Sequence, residues 1–254
     1  MAFSDSHCHL VGKWHQPEQL AEVLEQAKAK GVTTIVSMAG TLESSTSNIR
    51  LAQSYQGVLA AIGIHPQNAM PPTDDLRRYL RQLAEREEVV AFGEIGLSYG
   101  SNLETKEVQK ELLRYELSLA RETGLPVSMH CYQAHQDMMD ILRQEMGSDL
   151  KGSVHGFSGN RAELKDWLDV GFYISIGGSL YVSIGGRRGV PGELSALPEV
   201  VADIPLNRLV TESEGVNGPA GIVSVVEKLA SIRGTTVEQI ADAATANLKH
   251  LLKL

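Results

Sequence analysis

The feature that most constrains this chain is an alternation. Eight short β-rich runs are separated by stretches with helical periodicity. The runs are Phe3–Leu10, Thr33–Ala39, Val58–His65, Val89–Leu97, Pro126–Cys131, Gly152–Phe157, Tyr173–Gly178 and Arg208–Glu214. Some are apolar without interruption, as in Val58-Leu59-Ala60-Ala61-Ile62. Strands covered on both faces read this way, which suits a parallel sheet. Amphipathic stretches lie between them: Pro17 to Gly31, Glu104–Thr123 before Gly124, Ala134–Met146, Arg161–Val170 before Gly171, and Glu199–Asp203 before Pro205. Ala220–Ile232 and Val237–Leu252 follow the last run. A glycine just past the last periodic residue is a natural helix stop.

Strand then helix, repeated eight times, implies right-handed crossovers in one parallel sheet. The predicted fold is therefore α/β, a (β/α)8 TIM barrel, with residues 1–254 forming a single domain. The rival is an open doubly wound sheet. Its nucleotide-binding version loses ground because no Gly-x-Gly-x-x-Gly follows the first run.

Composition excludes several classes. With 43% hydrophobic and 21% charged residues, the chain is neither disordered, collagen-like nor a coiled coil. A net charge of −8 argues against a broad basic face for duplex DNA. The two cysteines, Cys8 and Cys131, are too few for a disulfide framework, and no apolar run approaches the ~18 residues that span a bilayer. The expectation is a cytoplasmic protein without a membrane partner, its oligomeric state left open.

Barrel enzymes carry their chemistry at the C-terminal ends of the strands. Residues able to chelate metal accumulate there. The first run carries Asp5-Ser6-His7-Cys8-His9, the third ends at His65, and the fourth contains Glu94. The fifth carries His130, the sixth His155, and the eighth Glu212-Ser213-Glu214. His135 lies just beyond the fifth, while His15 and His250 fall outside the pattern. Residues i and i+2 of a strand point the same way, so His7 and His9 can hold one ion between them. Cys8, between them, faces the opposite way and belongs to the core. Imidazole and carboxylate ligands suit Zn²⁺, Mn²⁺ or a similar divalent ion. Glu94 is the natural carboxylate to bridge two such ions, and Glu212 or Glu214 could take a proton from an activated water.

These motifs resemble the TatD family of metal-dependent hydrolases, a branch of the amidohydrolase-like barrels. The resemblance runs from Asp5-Ser6-His7-Cys8-His9 through Gly63-Ile64-His65-Pro66, Gly93-Glu94-Ile95-Gly96-Leu97 and Pro126-Val127-Ser128-Met129-His130. It continues through Val154-His155-Gly156-Phe157-Ser158-Gly159 and Gly171-Phe172-Tyr173-Ile174-Ser175-Ile176-Gly177-Gly178 to Ala246-Asn247-Leu248-Lys249-His250-Leu251-Leu252. It implies one or two divalent ions (zinc, manganese, magnesium or nickel) held by His7, His9, Glu94, His130 and His155. It also implies hydrolysis of phosphoester bonds, with deoxyribonuclease activity in some members. On this reading Glu94 and Glu214 are the catalytic carboxylates, Glu214 completing the first metal site and acting as general base. Glu212 orients its neighbours, and His65 lies beside the substrate. A 3′ end of single-stranded DNA or RNA is the expected substrate. The alternatives are a lactone or amide hydrolase, and a metal-binding barrel with weak or lost catalysis.

Three departures from the family pattern stand out. Glu-Thr-Asp is replaced by Glu212-Ser213-Glu214, the acid after Gly-Leu is replaced by Ser98, and the Arg-Asp that follows the fifth-strand motif is replaced by Tyr132-Gln133. The second removes an acidic group. The third removes a guanidinium suited to phosphate. Gly185-Gly186-Arg187-Arg188-Gly189 could supply a substitute through Arg187, although such a loop also reads as a turn with two solvated charges. Trp14, Tyr99 and Tyr132 follow strands and could stack on a base.

Overall fold

The computed structural model describes residues 1–12, 17–100, 103–145, 147, 150–177, 197–215 and 218–254. Eight parallel strands are hydrogen-bonded in chain order: β1 (Phe3–Cys8), β2 (Val32–Ser37), β3 (Val58–Ile62), β4 (Val89–Ser98), β5 (Val127–Tyr132), β6 (Gly152–Val154), β7 (Tyr173–Ile176) and β8 (Leu209–Thr211). Helices alternate with them: α1 (Pro17–Ala29), α2 (Leu42–Ser54), α3 (Asp74–Ala84), α4 (Lys106–Thr123), α5 (His135–Glu145), α6 (Arg161–Asp169), α7 (Leu197–Asp203), α8 (Ile222–Arg233) and α9 (Val237–Leu252). The class is the expected (β/α)8 barrel. All eight predicted runs contain a strand, and most of the strands stop short of the run. Among the described residues, no helix is long and apolar enough to cross a membrane.

The chain divides into two compact units, Met1–Ile35 with His155–Leu254, and Val36–Val154. In the first, β7 pairs with β8 through Ser175 opposite Val210, and β8 meets β1 where Thr211 Oγ1 donates to the Ser4 carbonyl at 3.1 Å. Its core is Phe3, Ile174, Leu209 and Val210 under Trp167, Ile222, Leu229, Ile240 and Leu248, all buried. In the second, β3 pairs with β4, β4 with β5, and β5 with β6, all parallel. Its core is Ala61, Ile62, Phe92, Ile95 and Met129 under Leu80, Leu112, Leu117 and Leu142.

Two helices of the second unit, α2 and α3, lie outside the stretches read as amphipathic from sequence. The cause in α2 is a run of Ser44-Ser45-Thr46-Ser47, residues that favour caps and turns over helix interiors. Here that polarity is used. Thr41 and Ser44 form a capping box, and buried Asn48 donates to the Ser37 carbonyl at 2.8 Å and the Ala61 carbonyl at 3.2 Å. The helix is thus anchored to β2 and β3 by hydrogen bonds.

Candidate metal centre

In the first unit, histidines and carboxylates converge at the C-terminal ends of β1 and β8. His7 is fully buried as the penultimate residue of β1, and His9 follows the strand end. Their Nε2 atoms lie 3.3 Å apart, with the rings edge to face. Glu214 Oε2 stands 4.0 Å from His7 Nε2 and 3.9 Å from His9 Nε2. Its other oxygen is 3.1 Å from His155 Nδ1, and the His155 ring stacks on His7 at a centroid distance of 4.0 Å. One donor atom from each of His7, His9 and Glu214 lies within 4.8 Å of the others, and the same holds for His155, Glu212 and Glu214. Ligands in a tetrahedral zinc shell, each about 2.0–2.2 Å from the ion, sit roughly 3.3–3.6 Å from one another. The donor types and spacing therefore fit a divalent cation. Glu214 reaches this position with φ at 56°, a left-handed conformation that a non-glycine residue rarely adopts.

Buried polar groups hold these side chains. Asp5 Oδ1 accepts the Ser213 amide at 2.9 Å and the His7 amide at 3.3 Å, and its Oδ2 accepts the Ser213 hydroxyl at 2.5 Å. The Glu214 amide donates to the His7 carbonyl at 3.1 Å. β1 and β8 are thus tied at the level of His7 and Glu214. Burial pushes the Asp5 carboxyl up to about 7, against the opposing pull of its bonds to Ser213. Glu212 lies deeper. Its Oε1 accepts the Gly156 amide at 2.7 Å, and its Oε2 accepts the Ser175 hydroxyl at 2.5 Å. Ser175 Oγ is in turn 2.8 Å from Ser6 Oγ. Burial raises the Glu212 carboxyl to about 8, opposed chiefly by His155. Gly177 is needed here, because a Cβ on it would fall 2.3 Å from Glu212 Cγ.

The second unit gathers His65, Glu94 and His130, which also offer donor atoms within 4.8 Å of one another. Glu94 Oε1 is 2.6 Å from His130 Nδ1 and 3.3 Å from His65 Nε2. The His65 ring has a defined tautomer. Its Nδ1 accepts the Gln67 amide at 3.1 Å, so the proton of the neutral ring sits on Nε2, facing Glu94. Behind it, buried Glu116 on α4 accepts the Ile64 amide at 2.9 Å. Gln109 on the same helix accepts the Ser98 amide at 2.8 Å and donates to its carbonyl at 3.1 Å. Helix α4 therefore sets the ends of both β3 and β4.

Within the first unit the structure brings together His7, His9, His155, Glu212 and Glu214, and within the second His65, Glu94 and His130. Arg187, Trp14 and His15 lie outside the described residues. Tyr99 is not a stacking surface: it is buried, and its hydroxyl donates to Asp137 Oδ2 at 2.8 Å. Cys8 is buried as expected, and neither cysteine forms a disulfide. Sequence reasoning passed over Asp5, Ser213, Glu116 and Gln109. The available signal was an acid or amide within an apolar pattern, since such groups are buried only with partners.

A (β/α)8 sheet with imidazole and carboxylate clusters at its strand ends defines a metal-dependent hydrolase of the barrel class. The family model for TatD related DNase matches residues 4–253. The chain therefore belongs to the TatD family of metal-dependent hydrolases. It is 31% identical to the uncharacterized metal-dependent hydrolase YabD of Bacillus subtilis, with 98% of each chain covered. It is 31% identical to the 3′-5′ ssDNA/RNA exonuclease TatD of Enterobacter lignolyticus over 90% of this chain and 91% of that one. Among solved structures, the TatD homologue YJJV of Escherichia coli superposes with a TM-score of 0.84 at 27% identity, covering 99% of this chain and 98% of that one.

Proposed function

We propose that the protein hydrolyses phosphoester bonds, removing nucleotides from the 3′ end of single-stranded DNA or RNA. The observation that carries this reading is the approach of Glu214 to His7, His9 and His155, which joins a cation-binding donor set to a candidate proton acceptor. The exonuclease name of a relative covering nine-tenths of the chain supports the choice of substrate. The metal ligands on this reading are His7, His9, His155, Glu214, Glu94 and His130. Bound divalent ions would lower the pKa of a water and offset charge on the phosphoryl oxygens. Glu214 would be the carboxylate that accepts a proton from the attacking water. Glu212, locked by Gly156 and Ser175, orients its neighbours, and His65 contacts the substrate with its Nε2 proton. Arg187 is a further phosphate contact in this proposal, so Arg187→Ala should raise KM for a phosphodiester. Cytoplasmic residence belongs to the same reading, supported by two cysteines that form no disulfide.

The test pairs elemental analysis of protein purified without chelator with degradation of 5′-labelled single strands. Shortening from the 3′ end supports the reading, and hydrolysis of esters or lactones alone rejects it. Glu214→Gln should cut kcat by roughly 10²–10⁴-fold, the usual worth of a general base. Glu94→Ala should abolish turnover. Its ion content separates a carboxylate shared by both ions, whose loss costs both, from one that serves a single ion.

A further inference from the structure

Two departures from the family pattern, Ser98 in place of an acid and Tyr132 in place of an arginine, fall on one spot. Ser98 and Tyr132 are register partners in the β4–β5 ladder, two positions beyond Gly96 and His130. Neighbouring strands lie about 4.8 Å apart, so the two replacements are adjacent. His130 and Tyr132, two positions apart on β5, project the same way. Tyr132 therefore stands at the strand's C-terminal end, on the side of His130.

Its surroundings leave the ring available. Tyr132 is 52% exposed, whereas Ser98 beside it is 5% exposed and carries no charge. The ring lies directly against Gly100, where a Cβ would fall 2.3 Å from Tyr132 Cε1. The main chain is held, because the Tyr132 carbonyl accepts the Tyr99 amide at 2.9 Å. Gln133 then turns out of the strand with φ at 53°, and its Nε2 lies 3.5 Å from the Tyr132 hydroxyl. A ring backed by main chain and presented to solvent is preorganised for stacking, and every nucleobase offers a flat face.

We propose that Tyr132 is a stacking platform for an unpaired nucleobase of the substrate. Recognition at this position shifts from the charge of a phosphate to the face of a base, and Ser98 replaces the acid that would accompany an arginine. The inference rests on the phosphodiesterase reading and makes it specific for single strands that carry bases.

The test compares oligothymidylate with a strand of equal length built from abasic sites, using metal-loaded enzyme. Tyr132→Ala should raise KM for oligothymidylate roughly ten-fold or more. The KM for the abasic strand should move less than about two-fold. Tyr132→Trp should restore the difference and Tyr132→Leu should not. An equal rise on both strands, no rise on either, or rescue by leucine overturns the platform. Fluorescence anisotropy with both labelled strands separates the two ideas. Tyr132-dependent preference for the base-bearing strand without cleavage keeps the platform and rejects the phosphodiesterase reading. Cleavage without that preference does the reverse.

Discussion

Glu214 brings a single carboxylate up to three imidazoles of the first unit. It faces three imidazoles, at 3.1, 3.9 and 4.0 Å, from a left-handed backbone. Its extra methylene, compared with the family's aspartate, fits that reach. Glu214→Asp withdraws the oxygens by more than about 1 Å, and displacement on that scale costs on the order of 10²-fold in rate. Steady-state kinetics at saturating metal would measure it, and a gain in kcat would mean that aspartate is the better base here. Glu116 makes a different prediction. Burial holds its carboxyl well above the ordinary range, with only the Ile64 amide pulling it down. The unfolded chain releases this proton near pH 4–5, while the folded chain keeps it to higher pH. Its contribution to stability is therefore complete below the ordinary carboxylate pKa and is lost as pH rises through the folded value. Glu116→Gln keeps the acceptor for Ile64 and removes the titration. Its Tm should match the parent at pH 4 and exceed it at pH 8, by about 2–4 °C for each kcal/mol recovered. Parallel curves in calorimetry would contradict this.

At the scale of elements, the tie between β1 and β8 is the feature with the clearest cost. Asp5→Ala leaves the Ser213 amide and hydroxyl buried without their acceptor. An orphaned buried donor costs about 1–3 kcal/mol. The Tm should fall by roughly 2–12 °C, at about 2–4 °C per kcal/mol, and Asp5→Asn should recover part of the loss. Thermal melts of metal-free protein would read this without interference from ligand binding. Element reading from sequence succeeded where the pattern is apolar and periodic, as in Val58–Ile62 and Val237–Leu252. It missed α2, whose inward face carries Ser45 and Asn48 as well as Ile49. No hydropathy period reports a helix anchored by hydrogen bonds.

For the whole molecule, the single-domain expectation predicts one cooperative unfolding transition. The first compact unit is built from two separated stretches, Met1–Ile35 and His155–Leu254, and Val36–Val154 is inserted between them. Two resolved transitions in calorimetry would show that the inserted unit melts alone. Added divalent cation binds the folded chain preferentially and should raise Tm by mass action, about 2.7 kcal/mol of stability at a hundred times Kd. The rise should disappear in a His7→Ala, His9→Ala double variant if the first cluster holds the ion.

By itself the sequence determined the alternation of strands and helices, and which donors stand at strand ends. Those are local properties, written in periods of two and of about 3.6 residues. Tertiary structure alone decided which donors share a cluster, that Asp5 meets Ser213 across 208 positions, and that Ser98 lies opposite Tyr132. Such meetings depend on register and on the burial of polar partners far apart in the chain. No short-range pattern encodes either.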